Sequence, residues 1–233
     1  MVMIRNRANL IRSDLMTKIS IDVVSDVMCP WCYIGKRRLE DALRALPEDI
    51  EVDIRWRPYQ LDPTLPKEGK DRKQYLREKF GGSAGASNAY AAIMDAGRQE
   101  NIHFDFDAIA VSPNTLDAHR LIRWSASEAP ETQNRLVDIL FQAYFEDGKN
   151  IGKDSVLLDA AEEAGMDRPI TETLLAGTAD CEAVEKEIDT ARRMGVTGVP
   201  CFIIENRYAI MGAQSADVLA SSIREVATMK ESA

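Results

Sequence analysis

The sequence predicts an α/β protein with a mixed sheet in β-α-β … β-β-α order, interrupted by a long all-helical insertion. Three observations carry this. A β-branched run, a two-cysteine turn and an amphipathic helix lead into a second, alternating strand before residue 60. From about 70 to 194 only helical periodicity is found. Strand texture then returns at 199–212, ahead of one last helix.

Residues 19–24, ISIDVV, are short and β-branched and read as a buried strand. The cysteine segment follows, then a helix with Leu39, Ala42, Leu43 and Leu46 on one face. Pro47 ends it, because the residue before a proline is biased out of the helical region. In EVDIRWRPY (51–59), Val52, Ile54 and Trp56 alternate with charged neighbours, the period of a half-buried strand. Strand, helix and strand at this length form a right-handed βαβ unit. Helices are expected at 71–80, 84–100, 115–128, 131–146, 154–164, 168–176 and 179–194, with no strand among them. GGSAG (81–85) separates the first two, and Asn114 or Thr115 caps the third. VPCFIIE (199–205) and YAIMG (208–212) read as strands joined by a turn at Asn206-Arg207, and Ser215 or Asp217 opens the last helix, through about 228. Neither half-motif can bury a sheet face alone. They are therefore expected to combine into one domain, 17–68 with 195–233, with 69–194 as a helical insertion facing the cysteine turn across a cleft. Residues 1–16 are set aside as an N-terminal extension.

Composition narrows the function. A chain of 233 residues, 45% hydrophobic and 29% charged, is an ordinary globular protein with room for a sizeable core. Its net charge of −9 argues against nucleic acid or an anionic membrane as partner. No apolar run approaches the roughly 20 residues of a membrane helix. The first residues carry Arg5, Arg7 and Arg12 without an apolar core or a small-residue cleavage site. They do not read as a secretory signal, so a cytoplasmic location is expected. Structural disulfides are rare there, and four cysteines at 29, 32, 181 and 201 make no disulfide framework.

Cys29 and Cys32 sit where a strand turns into a helix, so unpaired backbone N–H groups and the positive helix pole favour a thiolate. Pro30 suits the first helical position because it has no N–H to leave unpaired. This placement predicts an exposed Cys29 as nucleophile and a more covered Cys32 as the resolving thiol. Lys36, Arg37 and Arg38 add positive potential nearby. Structural zinc is the competing reading, but it needs four ligands, usually in paired units. Cys181 and Cys201 are far apart in sequence, and His103 and His119 are not at ligand spacing, so no metal is expected. Further along, MGVTGVPCF (194–202) starts a strand with a proline after a glycine-containing turn, a tight and specified one if Val199–Pro200 is cis.

Cys-Pro-Trp-Cys on such a turn, the Gly-Val-Pro strand start and the helical insertion resemble the DsbA-type thioredoxin-fold oxidoreductases, within them the non-exported FrnE-like branch. SDVMCPWC, WRPYQLDP, NTLDAHRL, GVTGVPCF and YAIMGAQS, spread over residues 25–215, carry the resemblance. It implies a thioredoxin fold with a helical insertion, Cys29 as the attacking and Cys32 as the resolving cysteine. Pro200 is then the cis-proline whose loop lies against the disulfide, and the Val199 backbone pairs with a bound thiol or peptide. Pro30 and Trp31 are placed with them as substrate-binding residues. The implied partners are protein or small-molecule thiols and disulfides, with glutathione as a possible co-substrate and no other cofactor, and the protein acting as a monomer or homodimer. Two departures stand out. Relatives carry a buried carboxylate six residues before the attacking cysteine, where this chain has Val23; Asp22 points to the opposite face, and Asp26 is expected to be exposed. Trp31 stands where exported relatives have His, so a potential in the glutaredoxin range, about −200 to −230 mV, is expected.

Other residues receive plainer readings. Cys201, next to Pro200, is a candidate third thiol, although free cysteines are often buried and inert. Cys181 is incidental. His119 reads as a packed, hydrogen-bonded residue, and Trp56, Trp124, Phe141 and Tyr144 as core. FDFD (104–107) reads as a loop with solvated carboxylates. The sequence thus reads as a thiol-disulfide oxidoreductase. Two alternatives are a glutathione-dependent isomerase or transferase of the 2-hydroxychromene-2-carboxylate isomerase and kappa-class type, and a zinc-stabilised binding module.

Overall fold

The computed structural model describes residues 16–80 and 83–232. Residues 1–15 of the expected extension, and Gly81–Gly82 in the expected helix break, lie outside the described residues. The chain begins with β1 (Thr17–Ser25), α1 (Pro30–Arg44) and β2 (Ile50–Pro58). The middle of the chain contains β3 (Lys70–Asp71), α2 (Arg72–Phe80), α3 (Ser83–Gln99), β4 (Val111–Ser112), α4 (Leu116–Ser125) and α5 (Thr132–Phe145). It continues with α6 (Asp154–Ala164), α7 (Arg168–Ala176) and α8 (Cys181–Arg193). β5 (Cys201–Ile204), β6 (Tyr208–Met211) and α9 (Ala216–Glu231) complete it.

Four strands form one sheet in the order β2-β1-β5-β6. β1 runs parallel to β2, with Val23 opposite Trp56, so their connection has to cross over, and α1 is that crossover. β5 lies antiparallel to β1, with Cys201 opposite Val24, and β6 antiparallel to β5. Strand alternation separates two layers. Ile19, Ile21, Val23, Phe202 and Ile204 share the main core with Leu39 of α1 and Leu219 and Ile223 of α9. On the other face Val24 and Cys201 pack with Tyr59, Val196 and Ala191 of α8.

The expected helices are found, with ends shifted by at most a few residues: α4 stops at Ser125 and α9 runs on to Glu231. Asn114 rather than Thr115 satisfies the start of α4, its Oδ1 accepting the Leu116 N–H at 2.9 Å. Four expectations need correction. The helical block contains a short antiparallel ladder, β3 with β4, pairing Lys70 with Ser112 and Asp71 with Val111. Two-residue strands carry no readable period. Gly69 permits their approach: a Cβ there would lie 2.6 Å from Val111 Cγ1, and its φ of +78° suits glycine. The β5–β6 turn is centred on Glu205 and Asn206, one residue earlier than expected, both in the left-handed region (φ 52° and 53°). Glu205 tolerates this because its carboxylate is anchored, Oε2 lying 2.8 Å from Lys230 Nζ and Oε1 accepting the Ser20 N–H at 2.7 Å. Those two contacts also hold its carboxyl below the usual range. The other two concern Cys29 and Asp26 and belong to the site.

Between α1 and the helices behind it lies an aromatic seam. Tyr33 stacks on Phe141 at 5.0 Å and meets Phe104 edge-on at 6.1 Å. Beside it, fully buried Lys36 pairs with Glu40 and, at 3.2 Å, with Asp138.

Candidate functional site

β1 ends at Ser25, and the turn that follows closes with the Cys29 N–H donating to Asp26 C=O at 2.9 Å. Cys29 is the N-cap of α1 and Pro30 its first residue. No side chain caps this end and its first turn holds no acidic residue, so the N–H pole is left open beside the Cys29 sulfur. Both thiols are free. Cys29 was expected to be exposed; it is only 5% exposed, against 1% for Cys32. The reason is the Val199–Pro200 segment, which lies over it. That peptide is cis, and Cys29 Sγ–H donates to the Val199 carbonyl at 3.7 Å. The segment can come this close because α1 presents Gly35 six residues on. A Cβ at Gly35 would fall 2.8 Å from Pro200 Cγ and 3.3 Å from Phe202 Cζ. Pro30 and Trp31 are half-buried at the same turn, Trp31 packed against the core.

Below them, burial pushes the Cys32 thiol up, and its neighbour Cys29 adds to the effect. Two groups pull the other way, the Ser25 hydroxyl and the Asp26 backbone N–H. Ser25 is 4% exposed, and its Oγ has no hydrogen-bond partner among the described residues, so it is a donor held in reserve beside this sulfur. Ser25 belongs to the face of Ile19, Ile21 and Val23, so strand alternation alone carried the signal for it.

Asp26 is wholly buried rather than exposed. The turn folds it inward, where Oδ2 accepts the Leu61 N–H at 2.7 Å and Oδ1 the Met28 N–H at 3.3 Å. His119 Nε2 lies 3.5 Å from that Oδ1 and 2.8 Å from the Tyr59 carbonyl. His119 is thus packed and hydrogen-bonded as expected, with a link to the cysteine turn that sequence spacing did not reveal. Asp22 points to the opposite sheet face, where Arg57 donates to it at 2.8 Å.

The cations of α1 are all engaged by acceptors. Lys36 has Glu40 and Asp138; Arg37 reaches Glu40 and Tyr33 Oη, each at 3.2 Å; Arg38 pairs with Glu100 at 2.7 Å. Cys201 lies on the far side of the sheet with Val24, Tyr59 and Ala191, its thiol pushed up by burial, and is not brought to the pair. Cys181 is half-buried at the start of α8. Among the described residues, no three His, Cys, Asp or Glu side chains converge as metal ligands, and no helix is long and apolar enough to cross a membrane.

Comparison with known proteins agrees with this architecture. YwbO, described as an uncharacterized protein of Bacillus subtilis, is 27% identical over 217 residues, covering 89% of this chain and 96% of that one. The crystal structure of SCO1869 from Streptomyces coelicolor, described as a probable DsbA oxidoreductase, superposes with a TM-score of 0.80 at 28% identity, over 89% of each chain. A 2-hydroxychromene-2-carboxylate isomerase superposes with a TM-score of 0.68 over 91% of this chain and 98% of its own; at 17% identity it shares the fold. The model of the DSBA-like thioredoxin domain matches residues 20–224, and the chain belongs to that family.

Proposed function

We propose that the protein is a thiol-disulfide oxidoreductase using the Cys29-Pro-Trp-Cys32 pair. The observation that carries this reading is Cys29 at the uncapped N-terminus of α1, 3.7 Å from the carbonyl before cis-Pro200, with Cys32 buried one turn in. The open N–H pole suits a negative sulfur at Cys29. Its thiolate attacks a substrate disulfide, forming a mixed disulfide and releasing one substrate thiolate, which takes a proton from solvent. Cys32 then loses its proton and attacks Cys29 Sγ, releasing the second substrate thiolate and closing the Cys29–Cys32 disulfide. Two electrons pass from the protein dithiol to the substrate, and the reverse sequence oxidises a substrate dithiol. While Cys32 is a thiolate, the Ser25 hydroxyl and Asp26 N–H are its donors. Val199 supplies backbone polar groups to the bound substrate, with Pro30, Trp31 and Pro200 shaping its contact surface.

The test is insulin reduction and refolding of scrambled ribonuclease, run on wild type, Cys29→Ser and Cys32→Ser. Activity in either assay is expected for wild type. Loss is expected for Cys29→Ser, and accumulation of mixed disulfide for Cys32→Ser. The likeness in fold to 2-hydroxychromene-2-carboxylate isomerase favours a second reading, a glutathione-dependent small-molecule isomerase. Such an enzyme needs no resolving thiol, so an inactive wild type in both protein assays, with a fully active Cys32→Ser on a small substrate, would select it.

A further inference from the structure

Away from the cysteines, α2 opens with an arginine in an unusual setting. Arg72 is 7% exposed, yet among the described residues no carboxylate pairs with it. The sequence from 80 to 89 contains no acidic residue either. Its guanidinium sits over the rings of Tyr90, Phe106 and Tyr144, at 5.9, 5.7 and 5.9 Å from their centroids. Nη1 donates to Tyr144 Oη at 3.0 Å and Nη2 to Tyr90 Oη at 2.9 Å. A guanidinium has five N–H donors in one plane. Two go to neutral phenols, and the other three have no acceptor among the described residues. The ring faces attract the cation, but they neither neutralise it nor use its in-plane donors. A cation buried without a carboxylate is costly, and an anion would be the strongest acceptor for its unused donors.

Space for one adjoins it. A pocket of about 480 Å³ is lined by Arg72 together with Leu76, Tyr90, Met94, Phe104 and Phe106. That volume lies within the range of small-molecule sites, as does the pattern of apolar walls with a few polar groups. Two carboxylates, Asp105 and Asp107, also line the pocket; both are exposed, and Asp105 Oδ1 already accepts the Ala108 N–H at 3.1 Å. Lys73, exposed on the same wall, adds a second cation.

We propose that this pocket binds a small organic carboxylate, with its anion on the free edge of the Arg72 guanidinium and its apolar body among Phe104, Phe106 and Met94. A planar fork facing a carboxylate gives two parallel charge-assisted bonds, stronger than those to the phenols. The site stands apart from the cysteine pair and does not depend on its redox chemistry. Rings connect it to α1, since Phe106 stacks on Phe104 at 4.9 Å and Phe104 meets Tyr33 edge-on.

Calorimetric titration of the full chain with benzoate and cyclohexanecarboxylate tests this, with benzamide as the uncharged control and circular dichroism to check folding. Saturable binding of at least one carboxylate is expected, with benzamide at least about tenfold weaker. Arg72→Gln is expected to lose at least about tenfold in affinity. Leu76→Trp, which fills the pocket and leaves Arg72 in place, is expected to abolish binding. If Arg72→Gln does not fold, Leu76→Trp and the benzamide comparison decide alone. Absence of saturable binding to wild type up to about 10 mM of either acid overturns the proposal. So does equal binding of benzamide, or undiminished binding by Leu76→Trp.

Discussion

Lys36 and Arg72 are both buried cations, and their surroundings differ in one respect. Lys36 has two carboxylates, Glu40 and Asp138, with Arg37 beside them; Arg72 has phenols and ring faces. The first arrangement is electrically complete and ties α1 to α5. The second leaves donors unused, among the described residues, next to a pocket. The same contrast recurs at the cysteine turn, where Ser25 Oγ faces Cys32 and has no fixed partner among the described residues. A buried polar group with all its partners fixes structure, whereas one left open is available to a ligand or a reacting atom.

The largest effect expected from testing this contrast is at the open site. Cys29→Ser should lower insulin reduction by at least about a thousandfold with little change in the urea midpoint, because the nucleophile is lost while the packing is kept. Comparable turnover in this variant would remove the cysteine turn from the chemistry. Gly35→Ala comes next. Its methyl group would meet Pro200 Cγ at 2.8 Å, so α1 and the Val199–Pro200 segment must separate, at a cost of about 2–3 kcal/mol by urea denaturation together with slower exchange. An unchanged midpoint would mean that the two elements adjust freely.

Lys36→Met keeps the buried stem and deletes the charge. The loss should be about 2 kcal/mol, held down because Glu40 and Asp138 are partly exposed and Arg37 remains, with exchange rates within about twofold of wild type. A large drop in rate with unchanged stability would place this network in catalysis and break the contrast. Ser25→Ala has the smallest expected effect and is the most diagnostic. Burial raises the Cys32 thiol, so its thiolate is scarce below the ordinary thiol range and the resolving step accelerates as pH rises. Ser25 opposes that rise, so its removal should move the pH–rate profile of mixed-disulfide resolution to higher pH, with Ser25→Thr restoring it. A profile that stays in place would reduce Ser25 to a packing residue.

Much of this architecture could be read from residue order. ISIDVV, the Leu39–Ala42 helix face and the alternation through Trp56 announced the βαβ unit, because burial on one side imposes a period on the chain. The helices between residues 70 and 194 followed for the same reason. The β3–β4 ladder did not, since two residues carry no period and the pairing depends on Gly69 meeting Val111 across the fold. Asp26 was misjudged because a charged residue in a turn is ordinarily solvated, and only Leu61 and His119, brought from elsewhere in the chain, give it a buried set of partners.

Residue order alone places two cysteines at a helix N-terminus and a Gly-Val-Pro strand start far downstream, because local propensity and hydrophobic period are properties of the chain. Which buried polar groups find partners, and which do not, was settled by the fold. Asp26 beside His119 and Arg72 among three rings take their character from residues distant in sequence, and Ser25 meets Cys32 only once the turn folds. Whether a buried donor or charge is satisfied depends on what the fold brings within about 3 Å of it, and no local pattern encodes that distance.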